Sequence, residues 1–130
     1  MSDYAIKNLM EIEDSTGDRE GIEGRFSRKY IDSAELGISH FRFAPGFRAI
    51  GGHRHEVQEE AYVVVGGSGR IRLDDDVVDL RQWDVVRVSP RVVRGFEAGP
   101  EGLEVVAVGG SKPEGGDGEA VPDRWPQGDG

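Results

Sequence analysis

Between about residues 23 and 109 the chain is cut into short runs rich in Val, Ile, Phe and Arg, each closed by a turn signal. That pattern constrains the fold more than any other feature, because it leaves little room for helices. The runs predict strands at 24–31, 36–44, 61–65, 69–73, 77–80, 84–88, 92–97 and 103–108. Turns are expected at Pro45-Gly46, Gly66-Gly67-Ser68-Gly69, Asp74-Asp75-Asp76, Ser89-Pro90 and Gly99-Pro100. Several runs alternate by twos. Ile71 and Leu73 face one way and Arg70 and Arg72 the other, while Val86 and Val88 oppose Val85 and Arg87. Alternation of this kind belongs to a sheet with one buried face. The expectation is therefore all-β, a sandwich or a barrel.

At 130 residues the chain has room for one domain with one core. Its 20 glycines suit many tight turns, and valine outweighs leucine, as strands prefer. Three segments are expected. Residues 1–22 pack on the barrel or on a partner through Ile6, Leu9, Met10 and Ile12, residues 23–110 form the barrel, and residues 111–130 are a tail. Five Gly, three Pro and five acids in that tail read as disorder, with Trp125 the residue that could anchor it.

The net charge of −9 argues against nucleic acid and against an anionic membrane as partners. Residues 81–94 nevertheless hold four arginines against one aspartate, which leaves room for a local basic pocket. With no cysteine, disulfides and thiolate chemistry are excluded. The N-terminus lacks the pattern of a signal peptide and no stretch reaches membrane-span length, so the expected location is cytoplasmic.

Chemistry concentrates at His53-Arg54-His55. Residues i and i+2 of a strand point to one face, so the two imidazoles can converge. Glu59 and Glu60 follow within reach of a shared site. Two imidazoles and a carboxylate suit a divalent ion such as Zn, Ni, Mn or Fe. The spacing resembles the first motif of the cupin superfamily, G-x5-H-x-H-x3,4-E-x6-G, through Gly46, His53, His55, Glu60 and Gly67. The leading glycine is displaced by one residue, and Glu59 with Gly66 would satisfy the same spacing. The following Gly67-Ser68-Gly69-Arg70, similar to the family's usual turn, favours Glu60.

The resemblance spans roughly residues 36–108. It implies a small antiparallel β-barrel, the double-stranded β-helix or jelly roll, with metal ligands at His53, His55 and Glu60. It also implies a homodimer, for which Ile6, Leu9 and Ile12 are the candidates to cross to the partner. The second motif departs from the family: Ser89, Arg91, Arg94 and Ala98 stand at its Pro, Gly, His and Asn. Arg94 thus replaces the third histidine, and a guanidinium has no lone pair for a metal.

Arg94 is expected to face the cavity, paired bidentately with Glu60 or holding an anionic group of a ligand. Tyr62, on the strand face of Glu60, lines the cavity or packs in the core. His40 reads as a satisfied wall residue, and Trp83, Phe41, Phe43 and Phe96 as core or interface. Three functions stay open. One is a module binding a small polar or anionic ligand, with a metal weakly held or absent. The others are a metal-dependent enzyme, oxygenase or isomerase-like, and a structural barrel.

Overall fold

The structure is a computed structural model that describes residues 3–17, 19–49, 51–122 and 125–126. The parts of the predicted terminal segments at 1–2, 18, 123–124 and 127–130 lie outside the described residues. Among the described residues there are eight strands: β1 (Ile22–Phe26), β2 (Gly37–Phe43), β3 (Gly52–Arg54), β4 (Glu60–Leu73), β5 (Asp76–Leu80), β6 (Val85–Val88), β7 (Arg94–Gly109) and β8 (Glu119–Val121). A 3₁₀ turn at Leu9–Glu11 precedes them. All pairings are antiparallel, in one curled sheet.

Two long strands, β4 and β7, organise the barrel by running side by side through both of its walls. Glu60–Val64 pair with Gly109–Val105, and Gly69–Leu73 pair with Ala98–Arg94. The first half is flanked by β6 on one side and by β2 and β1 on the other. The second half is flanked by β5, and by β3 and then β8. Alternating residues of these strands fill the core. Val64, Ile71 and Val105 are wholly buried, with Phe43, Tyr62, Phe96 and Leu103 around them.

The turns expected at 66–69 and 99–100 are instead bends within continuous strands. The register shifts at Val64/Gly66 and Gly67/Gly69, so the strands bend through bulges without parting. Gly67 has φ +68°, and a Cβ on it would lie 2.1 Å from the Gly102 carbonyl oxygen. With no side chain at Gly67 or Gly102, the two strands approach closely through the bend and stay paired, which makes four predicted strands into two. The Asp74–Asp75 turn forms as expected, closing the hairpin that pairs Leu73 with Asp76. β1 starts earlier than expected and ends at Phe26, where Tyr30 and Ile31 donate to the Ser27 carbonyl and fold the chain into a turn.

Other expectations shift locally. Trp83 does not join Phe43 and Phe96 in the core. It sits in the turn before β6 at φ +74°, its N–H bonded to the Val64 carbonyl, and is 69% exposed. Ile12 is buried against its own chain, and its carbonyl accepts from Arg25 Nε at 3.0 Å, whereas Ile6 is exposed.

The tail docks on the barrel, with Trp125 as its anchor. Its residues 119–121 form β8, hydrogen-bonded to β3. Beyond it Trp125 is buried, donates from Nε1 to the Ala49 carbonyl at 2.7 Å, and lies under the Arg48 guanidinium. Composition alone read as disorder because the segment has no core of its own, and the barrel supplies both the strand partner and the pocket. No helix among the described residues is long and apolar enough to cross a membrane.

Candidate functional site

β3 carries the first histidine and depends on two glycines. A Cβ on Gly51 would lie 2.1 Å from the Val121 carbonyl oxygen, and one on Gly52 would lie 2.6 Å from that of Arg94. Without them β8 and β7 close in on both sides, and His53 pairs with Ala120 on one side and Arg94 on the other. The His55 N–H then bonds the Pro90 carbonyl at 2.7 Å, and residues 56–59 carry the chain into β4.

Glu60, the first residue of β4, is the hub. Its Oε1 accepts the Tyr62 hydroxyl at 2.6 Å and lies 3.1 Å from His55 Nε2 and 3.6 Å from His53 Nε2. One ligand atom from each of His53, His55 and Glu60 fits within a mutual distance of 4.8 Å. The two imidazoles meet edge to face, with centroids 5.3 Å apart. Burial raises the Glu60 pKa, but hydrogen bonds from His53 and Tyr62 and the charges of His55 and His53 outweigh it and hold the carboxyl at about 2. Burial and the same carboxylate push the Tyr62 hydroxyl well above its ordinary value, so it stays a donor. Glu59, the alternative carboxylate, points outward, exposed and 3.3 Å from Arg87. His40 lies apart from the cluster, its Nε2 3.2 Å from Glu104.

Arg94 holds the place opposite His53 but does not form the expected bidentate pair with Glu60. It is fully buried, and its Nη atoms donate to the carbonyls of Pro90 and Ser89 at 3.2 Å and of Val88 at 3.5 Å. Its Nε has no hydrogen-bond partner. The turn at 88–90 presents three carbonyls within reach of one planar fork, while Glu60 Oε1 is engaged by the Tyr62 hydroxyl and His55 Nε2.

Sequence reasoning missed Asp117. Its Oδ1 lies 2.9 Å from His55 Nδ1, and its Oδ2 accepts the N–H groups of Val57 at 2.6 Å and Gln58 at 3.0 Å. Burial raises its pKa, but these backbone and imidazole bonds overcome that and hold the carboxyl far below the usual range. Sixty-two residues separate it from His55, so no local spacing announces it. The only signal was an acid flanked by glycines in a segment read as a tail.

His53, His55, Glu60, Tyr62, Arg94 and Asp117 line a cavity of about 1030 Å³. Phe41, Phe43, Phe47 and Phe96 line its apolar side, with Phe43 within 27° of parallel to each of the other three. Arg28, Lys112 and Gln58 add polar edges. The curled antiparallel barrel thus brings a histidine–carboxylate cluster and an aromatic wall to one cavity.

Residues 39–109 match the model of the cupin domain, more than half of the chain. The chain belongs to the cupin family. Solved structures agree on the fold. Streptomyces PAC13 with uridine superposes with a TM-score of 0.73 at 18% identity, over 98% of this chain and 95% of that one. A cupin protein from Bacteroides fragilis gives 0.71 at 17%, over 85% and 86%. The polyketide cyclase RemF from Streptomyces resistomycificus gives 0.69 at 15%, over 92% and 83%. No curated protein matches the chain in sequence.

Proposed function

We propose that this cupin binds a small polar or anionic molecule in its barrel, beside a degenerate metal centre in which His53, His55 and Glu60 hold a divalent ion weakly. The observation that carries the reading is the convergence of two imidazole nitrogens and one ionised carboxylate oxygen within 4.8 Å. The donor set suits Zn, Ni, Mn or Fe. His55 presents Nε2 to the cluster while Asp117 holds Nδ1, the orientation a ligating imidazole needs. Affinity is limited because the fourth protein position belongs to Arg94, which offers a charge and no lone pair. When bound, such an ion supplies a Lewis-acidic centre with positions open to water or ligand.

The chain's own groups divide the remaining work. Tyr62 holds its proton and fixes Glu60. His53, the most exposed of the three with 43% of its side chain open, is the group an entering molecule meets first. The aromatic wall takes up apolar parts of the ligand and excludes water from them. A catalytic version, a metal-dependent oxygenase or isomerase-like enzyme, draws support from fold neighbours that include a polyketide cyclase and a nucleoside dehydratase. Because one fold hosts many reactions, the neighbours' chemistries are not carried over.

Titration calorimetry on untagged protein with Zn, Ni, Mn and Fe(II) tests the reading. One equivalent of ion should bind, and Glu60→Gln or His53→Ala should each weaken it by roughly tenfold or more, since each removes one of three ligands. Absence of binding by all four ions at millimolar concentration would reject the metal centre.

A further inference from the structure

The contacts of Asp117 extend beyond one histidine. Its carboxylate holds His55 on one oxygen and the N–H groups of Val57 and Gln58 on the other. Those two residues belong to the crossover between β3 and β4, which carries the chain from His55 to Glu60. A single side chain therefore clamps both the ring and the loop that set the distance between two of the three converging groups. Asp117 itself is aimed by backbone geometry. The Gly116 N–H bonds the Pro113 carbonyl at 2.8 Å, and Gly115 and Gly116 have φ of +81° and +82°, which side-chain-bearing residues rarely adopt.

The segment that supplies Asp117 is tied down just beyond it. β8 pairs with β3, the strand of His53, and Arg54 binds Glu119 through two bonds of 3.2 and 3.3 Å. Rich in glycine, proline and acids, the segment is held in place by its contacts with the barrel. The same contacts run in both directions: what fixes His55 also fixes the segment.

We propose that Asp117 is a positioning residue for the histidine–carboxylate centre, and that residues 111–122 form a strap whose docking and the filling of that centre stabilise each other. The inference rests on the reading that the centre accepts a divalent ion. Ligand binding and strap docking then share one coupling free energy, so each must shift the other by the same factor. The expected factor is that of an orienting carboxylate behind a ligating histidine, about 10–100 in metal affinity.

The test uses the full chain and Ni²⁺ alone as probe. Asp117→Asn should weaken Ni²⁺ binding by about 10–100-fold, and Asp117→Glu should recover part of that loss. Conversely, saturating Ni²⁺ should slow hydrogen exchange of the β8 amides in wild type by a comparable factor, and much less in Asp117→Asn. A merely structural Asp117 would leave Ni²⁺ affinity within twofold of wild type, or β8 exchange unmoved by the ion, and either result overturns the proposal. Imidazole ¹⁵N spectra of the ion-free protein separate this from failure of the metal centre. Asp117→Asn should move the His55 Nδ1 signal and spare those of His53. If wild type takes up no Ni²⁺ but His55 shifts, the metal centre and its coupling to the strap fall, and only the positioning of His55 stands. Should His55 fail to shift, the positioning role falls.

Discussion

Replacing Arg94 by histidine should raise affinity for Ni or Zn by roughly tenfold or more and, in the same protein, lower the stability of the ion-free state. Arg94 and His53 are cross-strand partners, so their side chains leave β7 and β3 on one face. An imidazole at 94 restores a nitrogen lone pair where the arginine brings a fixed positive charge. The gain has a structural cost. The guanidinium satisfies the carbonyls of Val88, Ser89 and Pro90, and a shorter ring leaves some of them without a donor in a buried turn. Each such loss costs about 1–3 kcal/mol, so the ion-free variant should lose roughly 2–4 kcal/mol, on the order of 10 °C in Tm for a chain this size. Excess ion should recover much of that loss, because it binds only the folded form. Thermal unfolding with and without Ni²⁺, alongside calorimetry, measures both effects. Equal affinities in the two proteins would show that residue 94 does not reach the centre.

The barrel was legible because period-two alternation carries through bends. Ile71 and Val88 face the core whether or not the strands around them are drawn with the right ends. What misled was glycine. At Gly66–Gly69 the same residues that make tight turns also let two paired strands bend in close contact, and local sequence does not separate these uses. The missing side chain at Gly51 and Gly52 serves the second purpose as well, and there it admits β7 and β8 against a strand too short to show alternation.

The site divides along similar lines. His53, His55, Glu60 and Tyr62 lie within ten residues, so strand geometry and motif spacing placed them together before any tertiary contact was known. Asp117 and the partners of Arg94 depend on where distant segments dock. A segment rich in glycine and acids looks disordered until a strand edge and an indole pocket exist to receive it. Arg94 illustrates the reverse case. Its inward position followed from the motif, but its choice of three carbonyls over Glu60 depends on the shape of the turn at 88–90, which no spacing records.

Gly51→Ala should detach the C-terminal segment from an otherwise folded barrel. A methyl at 51 would stand 2.1 Å from the Val121 carbonyl oxygen and 3.2 Å from Val121 C and Pro122 Cα, all backbone atoms that no side-chain rotation can clear. The cheapest relief is for β8 to leave β3, since the β4–β7 core does not involve it. Trp125, four residues beyond β8, should then lose its bond to Ala49 and its contact with Arg48. The chain has two tryptophans, and Trp83 is already exposed, so it serves as an internal reference. In a ¹H–¹⁵N spectrum the Trp125 indole signal should move toward the solvent-exposed position while that of Trp83 stays put. Backbone signals of Val64, Ile71 and Val105 should change little, because the core keeps its packing. Gly66→Ala is the control: its Cβ would meet Glu104 Cβ at an ordinary 3.5 Å, and both indole signals should match wild type. If Gly51→Ala left the Trp125 signal unmoved, β8 would be shown to adjust without undocking, and its hold on the site would be looser than the register implies.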